Sequence, residues 1–117
     1  MMNKPREVDL ELLRQLEAEP QVNQRSLAVR LGLSLGKANY CLRALVRKGL
    51  VKIQNFRRSD RKLAYAYVLT PKGVREKARL TIAFLEAKQD EYERLQAEIS
   101  RLKGEVVSMK NDEHRFG

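Results

Sequence analysis

The chain has 117 residues, 33% charged and 43% hydrophobic, with a formal net charge of +9 at pH 7. That length supports one domain, or one domain plus an extension, whose core needs neither disulfide nor metal. A single cysteine, Cys41, and a single histidine, His114, exclude an intramolecular disulfide and a Cys/His metal cluster, and no apolar run approaches the ~18 residues of a membrane span.

Residues 1–5 read as an unstructured start, without the charged and apolar regions of a secretory leader, so the expected location is the cytoplasm. From Arg6 to Glu17, Val8, Leu12, Leu13 and Leu16 form an amphipathic stripe, and Pro20 marks the loop that follows. Leu10 lies off this stripe and is expected against a second subunit. A second helix is predicted over Gln24–Leu31. Asn23 caps it, Val22 and Leu27 staple its entry, and Gly32 ends it.

Ser34 caps a third helix, predicted to run to Lys48 and stop at Gly49. Its two faces differ in chemistry. Ala38, Cys41, Leu42 and Leu45 recur at three- and four-residue spacing and should pack on the second helix, where Ala28 and Ala38 permit close approach. Ser34, Gly36, Lys37, Asn39, Tyr40, Arg43 and Arg47 are left outward, a set of amide, cations and hydroxyls suited to base edges and phosphates. The competing reading is a solvated polar face on an ordinary helical hairpin.

After Gly49 the pattern changes. Leu50–Phe56 and Leu63–Leu69 are β-compatible and flank the polar turn RRSDRK, Arg57 to Lys62, which predicts a β-hairpin. Placed after such a helix, the hairpin is a wing whose Arg57, Arg58, Arg61 and Lys62 can reach the nucleic-acid backbone or minor groove. Otherwise it is a charged edge that discourages aggregation. Charge favours the wing. Residues 1–70 carry 14 Lys/Arg against 6 Asp/Glu, a net of +8, whereas residues 71–117 carry 10 against 9, a net of +1. This concentration of cations is the footprint of a polyanion binder.

Thr70-Pro71 opens a long helix predicted to reach Met109, too long at ~57 Å to be buried on so small a domain. With Leu85 at a heptad a position, the seam reads Leu85, Lys88, Tyr92, Leu95, Ile99, Leu102, Val106 and Met109. In a parallel pair Glu98 would face the partner's Lys103, and Glu105 the partner's Lys110, so a parallel homodimer is expected. Leu80, Ile82 and Phe84 widen the stripe near its start and should pack on the preceding domain or its second copy. Residues 110–117 are unpatterned and expected to fray; His114 is assigned nothing.

The reading is therefore mainly α with a small hairpin: a winged helix-turn-helix over 6–70, a coiled-coil helix over 71–109 and a tail. No nucleophile–base pair exists, and the glycines of 32–37 lack phosphate-loop spacing, so no enzyme, cofactor or metal is assigned. Cys41 between Ala38 and Leu45 reads as a small packing residue rather than a redox switch.

These residues carry a resemblance. The order helix, helix-turn-helix, basic hairpin and "LTPKG" opening a long helix resembles the winged helix-turn-helix of the MarR family. More narrowly, SLGKANYCLRALVRKGLVKIQNF, KLAYAYVLTPKG and EKARLTIAFL resemble its regulators associated with exopolysaccharide gene clusters, over about residues 7–95. The resemblance implies sequence-specific transcriptional regulation of polysaccharide-synthesis genes; double-stranded DNA is the expected partner, and a two-fold dimer predicts an inverted-repeat operator. It maps DNA reading onto Ser34, Gly36, Lys37, Asn39, Tyr40 and Arg43, and the wing onto Arg57, Arg58, Arg61 and Lys62. The short first helix and the heptad-bearing last one depart from the broad family, so no small-molecule effector is assigned. The alternative is a protein-interaction adaptor that uses the coiled coil beside a degenerate winged domain.

Overall fold

The structure, a computed structural model, describes the backbone of residues 5–57 and 63–116 and the side chains of 6–55 and 65–113. Its elements are α1 (Pro5–Ala18), α2 (Gln24–Leu31), α3 (Leu35–Arg47), β1 (Val51–Arg57), β2 (Leu63–Leu69) and α4 (Pro71–Phe116). The chain divides into two compact units, Met1–Ile82 and Ala83–Gly117. Of residues 1–5, expected to be unstructured, Pro5 opens α1 and 1–4 lie outside the described residues.

Helix limits in the first unit follow from local chemistry. Asn23 is extended, and its side chain accepts a hydrogen bond from the Ser26 amide at 2.7 Å, satisfying one orphan donor of α2. Ser34 does the same for Lys37 at the start of α3, at 3.1 Å. Both helices end on a left-handed glycine, Gly32 (φ 66°) and Gly49 (φ 74°). At Gly49 the closure is a Schellman motif: its amide donates to the Val46 carbonyl, and that of Leu50 to the Leu45 carbonyl, each at 3.0 Å. Leu45 and Leu50, joined by that last bond, are both buried.

Helix α1 packs against α2, α3 and β2, while α3 also packs against β1. Leu10, Leu12, Leu13, Leu16, Leu27, Leu42, Leu45 and Val51 form the fully buried centre. Each such side chain contributes about 1.5–3 kcal/mol by leaving water. Leu10 is thus 2% exposed and part of its own core, not a contact for a second subunit. The reason is that three elements cover α1, so its buried arc is wider than one stripe.

Strands β1 and β2 pair antiparallel, with Val51 opposite Leu69, Ile53 opposite Tyr67 and Arg57 opposite Leu63. The β2 edge gains a further bond, from the Tyr67 amide to the Pro20 carbonyl at 3.0 Å, which ties the α1–α2 loop to the hairpin.

Thr70 precedes α4 and caps it: its hydroxyl accepts from the Gly73 amide at 3.0 Å and donates to the Gly49 carbonyl at 2.6 Å. Of the widened stripe in this unit, Leu80 is buried within the chain, whereas Ile82 is 59% exposed and does not pack on its own domain. The second unit is helical to Phe116, so the fraying expected from residue 110 is not found up to that residue. Lys110 to Phe116 contains neither proline nor glycine. Extending an established helix costs little compared with nucleating one.

Candidate nucleic-acid interface

Four residues seat α3: Ala38, Cys41, Leu42 and Leu45 are buried, Ala38 completely, and α3 packs against α2, whose Ala28 is also buried. Burial pushes the Cys41 thiol above its ordinary range, as suits a packing residue and not a reactive thiolate. The opposite face presents Ser34, Gly36, Lys37, Tyr40, Arg43 and Arg47, all exposed. Tyr40 is 63% exposed with the Lys37 ammonium 5.7 Å from its ring centre, so an aromatic and a cation are presented together.

One outward residue, and the cation that follows α3, are engaged within the domain. Asn39 is half-buried, and its Nδ2 donates to Gln24 Oε1 at 2.9 Å. Gln24 Nε2 donates in turn to the Tyr67 hydroxyl at 2.8 Å. Lys48, the cation that follows α3, has its ammonium 3.7 Å from Asp9. Burial raises the Asp9 carboxyl pKa, an effect that Lys48 opposes. Asp9 therefore draws one cation of the basic cluster towards α1.

Between α3 and the base of the hairpin lies an open cleft of about 250 Å³, lined by Gln24, Asn39, Arg43, Arg47, Ile53 and Tyr67, among others. Among the described residues, neither Arg43 nor Arg47 has a carboxylate partner. Their guanidiniums are therefore available to phosphate oxygens or guanine edges. Of the wing residues, Arg57 closes β1 by its backbone, and its side chain, like Arg58, Arg61 and Lys62 entirely, lies outside the described residues.

Gln24 and Tyr67 were not legible as site residues in the sequence. Gln24 reads as an ordinary first-turn residue and Tyr67 as one of an alternating strand. Separations of 15 and 43 residues leave no local signature of their contact.

The described residues contain no group of three His, Cys, Asp or Glu able to hold a metal, and no helix long and apolar enough to cross a membrane.

Comparison with known proteins bears on this geometry. A family described as Winged helix-turn-helix DNA-binding matches residues 5–52, which end just inside β1. No curated protein sequence matches the chain. Among solved structures, the PcaV transcriptional regulator of Streptomyces coelicolor, in complex with its natural ligand, is 24% identical with a TM-score of 0.61. That alignment covers 89% of this chain and 72% of the other. A MarR-family protein of Mycobacterium tuberculosis, in complex with p-aminosalicylic acid, is 21% identical with a TM-score of 0.59, over 85% and 76% of the two chains. A MarR transcriptional regulator of Methanosarcina mazei is 26% identical with a TM-score of 0.59, over 73% and 60%. The chain thus carries a winged helix-turn-helix of the DNA-binding kind, and its solved structural neighbours include MarR-family proteins.

Proposed function

We propose that this protein is a sequence-specific, double-stranded DNA-binding transcriptional regulator acting as a homodimer. The observation that carries the reading is α3: Lys37, Tyr40, Arg43 and Arg47 stand exposed on one face while the other is buried against α2. In this reading α3 enters the major groove, where Lys37, Asn39 and Arg43 meet base edges and Ser34 and Gly36 allow close approach. Arg47 meets phosphate, and the wing cations Arg57, Arg58, Arg61 and Lys62 follow the flanking backbone or minor groove.

Dimerisation is assigned to the second unit. Leu85, Tyr92, Leu95, Ile99, Leu102 and Val106 are each 43–61% exposed on one helix, at heptad spacing. A parallel pairing of two such helices would cover this seam and set Glu98 and Glu105 against the partner's Lys103 and the partner's Lys110. Two-fold symmetry then calls for an inverted-repeat operator, with half-sites about 10 bp apart or a multiple of that spacing. Polysaccharide-synthesis genes are the proposed targets, on the strength of the sequence resemblance alone.

Gel shifts with duplex DNA from upstream of the chain's own coding sequence, at two salt concentrations and with RNA competitor, test the reading. Retention of a specific complex against RNA and random duplex supports it. Failure to bind duplex DNA at low ionic strength, or preference for the RNA, refutes it.

A further inference from the structure

The hydrogen-bonded series Asn39–Gln24–Tyr67 crosses three elements, α3, α2 and β2, and opens onto the cleft that also holds Arg43 and Arg47. Each link has a defined sense. Asn39 donates to Gln24, which donates through its own amide nitrogen to the Tyr67 oxygen. Turning the Gln24 amide over would set its NH₂ against that of Asn39 unless Asn39 turned with it, since the Tyr67 hydroxyl can donate as well as accept. The two amides are therefore coupled, and Asn39 cannot turn alone without losing its bond. Among the described residues, the primary amide of Asn39 keeps one N–H and its carbonyl oxygen uncommitted. Tyr67, acting as acceptor, keeps its own O–H to donate.

An uncommitted N–H beside a carbonyl oxygen is the pair that reads adenine at N7 and N6. Such reading discriminates only if the amide cannot rotate, because a half-turn exchanges donor and acceptor. A lone asparagine on an exposed helix face has no such restraint. Here the restraint comes from residues on other elements. We infer that Gln24, anchored by Tyr67, is a positioning residue that fixes the Asn39 amide for one base pair, making base preference depend on side chains that touch no base. This rests on the DNA-binding reading above and sharpens it.

A purely structural staple between α3 and the hairpin would behave differently. Its loss would weaken binding to every duplex alike, or lower the melting temperature, without altering the preference at any one position.

The test uses the full chain and a random-sequence duplex library, from which the wild type selects its preferred site. Asn39→Ala then identifies the position that Asn39 reads, with a loss of about 5- to 150-fold in discrimination there. Gln24→Met, which keeps length but removes both bonds, is expected to relax that same position about tenfold or more, with binding to random duplex at low salt little changed. Tyr67→Phe should relax it partly, and Gln24→Met combined with Asn39→Ala no further than Asn39→Ala alone. Gln24→Glu keeps an acceptor for Asn39, so it should preserve the preference while its charge weakens binding to all duplexes. Thermal melts check that each variant is folded, and Gln24→Glu and Tyr67→Phe carry the test should Gln24→Met not be. Retained preference in Gln24→Met, a uniform loss across sequences, or lost preference in Gln24→Glu overturns the positioning role while leaving DNA binding intact. A wild type that selects no site overturns the functional reading and this inference together.

Discussion

Gly73, in the first turn of α4, lies against the backbone of Leu50, where the chain leaves α3 for β1. A Cβ at Gly73 would overlap the Leu50 carbonyl oxygen and stand 2.9 Å from its carbonyl carbon. Around this contact, Thr70 donates its amide to the Leu50 carbonyl at 3.0 Å, and the Lys72 ammonium donates to the Lys48 carbonyl at 3.0 Å. The carbonyls that follow α3 are thus held by the start of the last helix. Close approach, rather than backbone angle, explains the glycine in the Thr-Pro-Lys-Gly segment.

Gly73→Ala should therefore destabilise the first unit. Helix propensity alone favours alanine by about 1 kcal/mol, but backbone cannot yield as a flexible side chain would. The overlap should outweigh that gain and leave a net loss of about 1–3 kcal/mol. Chemical denaturation monitored by circular dichroism reads the change; an unchanged or raised midpoint contradicts the contact.

Arg43 and Arg47 stand one helical turn apart on the exposed face of α3, and they are assigned different targets. Arg43→Ala should cost about 1–3 kcal/mol on the preferred site and relax one base position. Arg47→Ala should weaken all sequences alike and lower the slope of log affinity against log salt by about one. Fluorescence anisotropy on preferred and random duplexes across a salt series separates the two. Equal losses on both duplexes for Arg43→Ala would show that it does not read bases.

The seam of the second unit contains one cation, Lys88. Its ammonium lies 3.3 Å from Glu91 and 5.3 Å from the Phe84 ring centre. If parallel pairing covers this seam, Leu95→Asp removes ~1.5–3 kcal/mol of burial from each chain, raising the dimer dissociation constant by about a hundredfold or more. Lys88→Leu should lower that constant, because an apolar residue replaces a charge at a d site. Sedimentation equilibrium measures both. A Leu95→Asp protein that stays dimeric would place the interface elsewhere.

Asp9 supplies a prediction in pH. Burial raises its folded-state pKa above 3.8, more than Lys48 lowers it, so the folded protein holds this proton more tightly than the unfolded chain. The stability contributed by that proton is fully present below the unfolded value and is lost as pH rises through the folded one. Asp9→Asn should accordingly melt higher than the wild type at neutral pH, with the difference shrinking as pH falls into the acid range. A difference that widens on acidification would mean that the Lys48 pairing outweighs burial.

How far the sequence carries can be judged from particular residues. Asn23, Gly32, Ser34 and Gly49 mark the limits of α2 and α3 because capping is settled within four residues of the helix end. Spacing likewise separates Ala38, Cys41, Leu42 and Leu45 from the exposed set, since one helix period decides the face. The strands were legible from their composition, and the Thr70-Pro71 start of α4 from its capping chemistry.

What only the tertiary structure decided concerns residues whose partners are distant along the chain. Leu10 turns inward because three elements close over α1, a fact no single stripe contains. Asn39 meets Gln24, Lys48 leans to Asp9 and Gly73 abuts Leu50 only because the crossing of the elements brings them together. Local patterns encode which way a side chain faces from its own helix. Which groups wait there is set by packing between elements, and on that depends whether an outward amide is free or held.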